Sequence, residues 1–214
     1  QTTATTHRLK HDYPETIHLM LGLHPTHVGA NLAEELAHVQ QQLAAHSFVA
    51  VGEIGMDLYW DKTYQKEQQE AFAKQISWAL AYDLPIIIHC REAFDEIFEV
   101  LEGVQDTRLR GIFHCFTGDV KQAQRAIDFN MLLGIGGVVT FKNSALAQTL
   151  ANIAMEHIVL ETDAPYLAPT PFRGKRNESS YITYVAEKVA LTHNISLAQV
   201  AKQTTENAKN LFGL

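Results

Sequence analysis

Apolar residues occur along this chain in two rhythms. Short, nearly unbroken runs appear at 17–23 (IHLMLGL), 48–53 (FVAVGE), 85–89 (PIIIH), 111–116 (GIFHCF), 131–138 (MLLGIGGV) and 158–162 (IVLET). Between them the spacing changes to three and four. In KEQQEAFAKQISWALAYD, for example, Phe72, Ile76, Ala79 and Leu80 fall on one face of a predicted helix. Runs without polar alternation predict strands buried on both faces. Their regular alternation with helices predicts an α/β fold with a parallel sheet covered on each side. Two architectures satisfy this, a doubly wound open sheet and a TIM (β/α)8 barrel. Six βα units are visible in 214 residues, whereas a barrel typically takes about 250. As a barrel, the chain holds roughly the last six units, and QTTATTHRLK opens it as though just after a strand. No low-complexity tract or Pro/Gly/Ser linker interrupts it, so residues 1–214 are expected to form a single domain.

Composition narrows the class. At 46% hydrophobic and 19% charged, the chain can bury a full core, which excludes a disordered protein. Its apolar runs fall far short of the ~20 residues of a membrane span, and no basic-then-apolar leader opens it, so no membrane association and a cytoplasmic location are expected. A formal net charge of -7 argues against coating nucleic acid with a basic surface but allows a site that grips one chain end. Cys90 and Cys115 each follow a histidine and form no CxxC spacing, so they read as buried packing residues. If His89 and His114 face a site, strand alternation turns both cysteines away from it.

The ends of the runs carry the chemistry. A barrel builds its active site at the C-terminal ends of its strands, and those positions hold His24, Glu53 with Asp57, His89 with Arg91, His114, and Glu161 with Asp163. Only GIGGVV ends plainly. Each histidine alone has an ordinary structural explanation. Several imidazoles and carboxylates converging on one rim call for a compensating cation. Imidazole with carboxylate suits Zn²⁺ or Mn²⁺, and carboxylate with water also accepts Mg²⁺. Such an ion lowers the pKa of water, and a nearby carboxylate, here Asp163, takes the proton. Glu53 is the candidate bridge if two ions are bound. Downstream, PTPFRGKRN places Arg173, Lys175 and Arg176 in a local basic cluster suited to an anion, with Lys175 and Arg176 equally explained as a solvated loop. Arg173 and Arg91 are the candidate phosphate contacts, because arginine binds phosphate through two N–H groups at once.

With these residues in place, the chain resembles the TatD family of metal-dependent deoxyribonucleases, within the amidohydrolase-like barrels. The resemblance runs through GLHP (22–25), VGEIGMD (51–57), PIIIHCRE (85–92), HCFTG (114–118), ETDAPYL (161–167), RGKRNE (173–178) and TTENAKNLF (204–212), in the family's order. It implies the TIM barrel, metal ligation by Glu53, His89, His114 and Asp163 with Glu53 shared between two divalent cations, a place for His24 near the scissile phosphate, and a phosphate contact from Arg173. The activity it implies is hydrolysis of DNA phosphodiesters, often 3′ to 5′, on DNA ends or short single strands, with no obligate protein partner. One departure is large: the family's first-strand His-x-His pair is absent here. By comparison with the family, roughly 45–50 further residues, about two βα units, are expected before Gln1. Met56 and Ser179 are smaller departures, where the family tends to have leucine and proline. Two other functions fit the same residues. One is an amidohydrolase acting on an amide, lactone or ester, including an aminoacyl-tRNA ester; the other is a metal-dependent binding protein without turnover.

Overall fold

The computed structural model describes residues 2–214. Its chain packs as two compact units, one ending at Leu109 and one spanning Arg110–Leu214. The first contains α1 (Thr2–Asp12), β1 (Met20–Leu21), α2 (Leu32–Ala45), β2 (Ala50–Asp57), α3 (Gln65–Ala81), β3 (Ile86–Arg91) and α4 (Phe94–Glu102). Its strands pair in parallel, β1 with β2 and β2 with β3. The second contains β4 (Gly111–Phe113), α5 (Val120–Asp128), β5 (Met131–Ile135), α6 (Leu146–Leu150), β6 (Ile158–Leu160), α7 (Ile182–His193) and α8 (Leu197–Phe212). Here β4 pairs with β5 and β5 with β6, again in parallel. Every apolar run predicted from the sequence overlaps one of these strands, with β2 and β3 continuing past the ends of their runs. Among the described residues, no helix is long and apolar enough to cross a membrane.

Burial explains why the runs are continuous. Ile86 and Ile88 are fully inaccessible and Ile87 nearly so, as a strand covered on both faces requires. In β2 every residue is buried except Glu53. α3 buries Phe72, Ile76 and Ala79 as its spacing predicted, while Leu80 is half-buried. Two glutamines on α3 are also buried, and each clamps the backbone of one strand-end residue. Gln75 accepts the Leu23 N–H through Oε1 (2.6 Å) and donates to the Leu23 carbonyl (3.3 Å). Gln68 does the same at Asp57, accepting from its N–H (2.9 Å) and donating to its carbonyl (3.2 Å). The helix thus substitutes for missing sheet partners where β strands end, which fixes His24 and Asp57 in place.

Candidate metal centre

In the first unit the site is built on a bulge. β2 and β3 run in register until Gly52 opposes Ile87 and Ile54 opposes Ile88, leaving Glu53 as the extra residue. A bulge re-aims the side chain it carries, which accounts for Glu53 being the accessible position of an otherwise buried strand. Gly55, at φ 132, lets β2 approach β3 closely; a Cβ there would lie 2.2 Å from the His89 carbonyl oxygen. Across that contact His89 and Glu53 meet, with His89 Nδ1 3.7 Å from Glu53 Oε2. His24, at the turn after β1, brings Nε2 to 3.6 Å from the same oxygen and 3.1 Å from His89 Nδ1.

The ring protons follow from the partners. A carboxylate accepts, so the 3.0 Å contact between His89 Nε2 and Asp57 Oδ2 places the His89 proton on Nε2 and leaves Nδ1 with its lone pair toward Glu53. Asp57, only 2% exposed, is itself held by the Tyr59 and Trp60 N–H groups on Oδ1 (3.1 and 3.4 Å). For His24, the Thr26 N–H donates into Nδ1 (3.2 Å), which leaves the neutral ring's proton on Nε2. The Thr26 hydroxyl lies 2.7 Å from the same Nδ1 and can accept from it in the other tautomer. Burial first, and then neighbouring His89, lower the His24 pKa to about 4 against an opposing pull from Glu53, so the ring is neutral near pH 7.

The second unit repeats the scheme with different parts. His114, one residue past β4, donates from Nδ1 to Glu161 Oε2 (2.8 Å) and turns Nε2 toward Asp163 Oδ1 (3.7 Å). Glu161 Oε1 also accepts the Cys115 N–H (2.6 Å). The plain strand β5 makes room for this carboxylate: a Cβ on Gly134 would sit 2.7 Å from Glu161 Oε2. Cys115 and Asp163 both have left-handed backbones, φ 48 and 53. That corrects the expectation for Cys115. Strand alternation stops at Phe113, and the left-handed turn brings the Cys115 thiol into a ligand cluster with His114 and Asp163. Cys90, expected to be buried, is half-buried and belongs to neither cluster; desolvation pushes its thiol pKa up to about 12.

The donor sets fit a cation. His24, Glu53 and His89 form one cluster, and His114, Cys115 and Asp163 another, each with its ligand atoms within 4.8 Å of one another. Two ligands bound about 2.1 Å from one ion lie roughly 3.0–3.4 Å apart, near the 3.7 Å between His89 Nδ1 and Glu53 Oε2; His24 Nε2 joins them as a ligand only in the tautomer that carries its proton on Nδ1. Each central histidine also donates its other ring nitrogen to a carboxylate, the arrangement that fixes a metal-binding imidazole.

A family model for TatD-related DNases matches residues 1–213. This chain belongs to that family. The metal-dependent hydrolase YabD of Bacillus subtilis, named as uncharacterized, is 41% identical over 92% of this chain and 77% of its own length. A Mycobacterium tuberculosis metal-dependent hydrolase named TatD, likewise uncharacterized, is 34% identical over 95% of this chain and 79% of its own. Among solved structures, YJJV, a TatD homologue from Escherichia coli K12, matches with TM-score 0.92 and 29% identity, covering 99% of this chain and 82% of that one. The fold is therefore TIM-barrel-like, and the TatD-family chain is a metal-dependent hydrolase that uses divalent metal.

Arg91 lies with its guanidinium 3.9 Å above the Tyr59 ring and 5.0 Å from that of Trp60. Arg173 stacks 3.6 Å over Phe141. Among the described residues neither guanidinium donates a hydrogen bond, so their N–H edges are available to an anion while their faces rest on rings. From the sequence Asp57 and Glu161 are legible only as ionisable strand ends; in the structure each fixes the ring of a neighbouring histidine. The i, i+2 spacing of Glu161 and Asp163 was the available signal.

Proposed function

We propose that this protein hydrolyses DNA phosphodiester bonds, working as a 3′ to 5′ exonuclease, with Glu53, His89, His114 and Asp163 as its metal ligands. The observation that carries the reading is the pair of oriented histidines. His89 and His114 each have one ring nitrogen held by a carboxylate and the other beside a second carboxylate. Two divalent cations of the Mg²⁺, Mn²⁺ or Zn²⁺ type, when bound, supply charge stabilisation at the phosphoryl oxygens and ease deprotonation of water.

The chain's own residues do the rest. Arg91 and Arg173 orient the phosphate through their N–H edges, each held flat by an aromatic ring. His24, neutral and carrying its proton on Nε2, donates a hydrogen bond to a phosphoryl oxygen. Asp163 accepts the proton of the attacking water as the new oxygen–phosphorus bond forms. The bond to the 3′ oxygen breaks, and solvent protonates that leaving oxygen. Two otherwise exposed guanidiniums favour an anionic diester over a neutral amide.

The test is release of 5′ mononucleotides from the 3′ end of a single-stranded oligonucleotide in Mg²⁺ or Mn²⁺. EDTA is expected to abolish it, and Asp163→Asn to lower kcat at least about 100-fold with circular dichroism unchanged. Cleavage of an ester or amide panel with oligonucleotides left intact would overturn the reading in favour of the amidohydrolase alternative.

A further inference from the structure

Next to the first cluster the chain displays two large aromatic rings to solvent. Tyr59 is 49% and Trp60 68% exposed, directly after Asp57. Burial does not explain them. Their rings meet edge to face at 4.8 Å, and Trp60 walls an open hollow of about 130 Å³ with Thr26, Asp61 and Tyr64. The Arg91 guanidinium covers Tyr59 at 3.9 Å. Exposed as they are, the rings are well placed in position: Asp57 Oδ1 holds the backbone N–H of both residues, while Asp57 Oδ2 holds His89. One carboxylate thus ties the ring pair to a proposed metal ligand.

We infer that Tyr59 and Trp60, with Arg91, form a stacking platform for a nucleobase of the nucleotide that adjoins the bond being cut. Every base has a π face, and base–aromatic stacking beside a cationic edge is how single strands are gripped without reading sequence. Rings already held against each other and beneath the Arg91 guanidinium lose less freedom on binding than free ones. The assignment rests on the nucleic-acid reading of the preceding section. It gives that reading a substrate requirement: an unpaired terminal base, because a base inside a duplex offers no free face.

Two measurements on the full chain test it. In the first, hydrolysis is followed with two metal-loaded reactions on short single strands that differ only in carrying a base or an abasic tetrahydrofuran at the terminal nucleotide. The expected result is a KM about tenfold higher for the abasic strand. Trp60→Leu raises KM about tenfold on the base-bearing strand alone, kcat stays unchanged, and Trp60→Phe restores most of the affinity. An equal effect on both strands, or none, overturns the platform. In the second, oligothymidylate is titrated in EDTA while tryptophan emission is read. Quenching is expected in the wild type and not of the buried Trp78 that remains in Trp60→Phe. Quenching without any DNA hydrolysis leaves the platform standing and sinks the nuclease reading. Hydrolysis with no quenching and equal KM values does the reverse.

Discussion

The two ligand clusters solve one problem with opposite materials. In the first, Glu53 and Asp57 lie in strand β2 and His89 in its neighbour β3, so all but His24, in the turn after β1, belong to the sheet itself. In the second, His114, Glu161 and Asp163 all lie just beyond their strands. The first cluster presents His89 Nδ1 and anchors Nε2; the second presents His114 Nε2 and anchors Nδ1. The anchors differ too. Asp57 is 2% exposed and meets three donors, whereas Glu161 is 19% exposed. A site inside a sheet is held by core packing, and one on loops needs separate fastenings. Asn177 supplies them in the second unit, donating to the carbonyls of Thr162 and Tyr166 at 2.6 Å each, on either side of Asp163.

The contrast is broken most directly at the ligands. On the proposed ligand assignment, Glu53→Gln and Asp163→Asn are both expected to cut turnover by at least about 100-fold, because each would remove a charge that the cation needs. Metal content measured on the purified variants distinguishes them. A variant that keeps full metal and full turnover removes its residue from the ligand set.

At the anchors the two clusters should part company. Asp57→Asn leaves a buried amide where His89 Nε2–H and two backbone N–H groups met a carboxylate, so a loss of about 2–3 kcal/mol in stability is expected along with about 100-fold weaker metal binding or activity. Glu161→Gln is expected to cost about tenfold in metal affinity and less than about 1 kcal/mol in stability. Urea unfolding and metal titration on the pair provide the comparison. Equal stability losses would show that exposure does not separate the two anchors.

A smaller effect is expected one layer out. Gln75→Ala removes both partners of the Leu23 backbone, and about 2 kcal/mol of stability should go with them, read by urea unfolding. Turnover of the folded protein should fall only a few-fold, since His24 shifts rather than disappears.

Much of this was legible in the sequence, and the gaps have physical reasons. Continuous apolar runs announced parallel strands because a strand covered on both faces cannot alternate, and ionisable residues at the ends of those runs marked the site. What the pattern hid was the polar clamping. Gln68 and Gln75 interrupt the same helix face that carries Phe72, Ile76 and Ala79, where a polar residue has no evident purpose, and only the structure shows their amides filling ends of the sheet. Asn177 and Asn207 lie in RGKRNE and TTENAKNLF, motifs recognisable without their purpose; Asn207 donates to the carbonyls of Met155 and Ile158, both at 2.8 Å. Gly134 looked like part of a plain strand, yet its missing side chain is what admits Glu161. The Cys115 reading failed for a related reason: period-two alternation holds only within a strand, and one left-handed residue cancels it.

A modest effect is expected on pH, and it isolates the first cluster. Folding moves the His24 pKa from an ordinary 6.5 down to about 4, chiefly through burial. Between those values the unfolded chain binds a proton that the folded one refuses, so stability rises with pH across this window. The contribution is fully present above pH 6.5 and is lost as pH falls toward 4. Because the side chain is 27% exposed, solvent screening limits it to about 1–2 kcal/mol. Urea midpoints of metal-free protein in EDTA, taken from pH 7 to pH 4, should therefore fall more steeply for the wild type than for His24→Gln, which has no proton to gain. Carboxylates that titrate near pH 4 affect both proteins and cancel in the difference. Parallel pH profiles would mean that the His24 ring accepts a proton in the fold as readily as in water, and its place as a neutral donor beside His89 would go with that result.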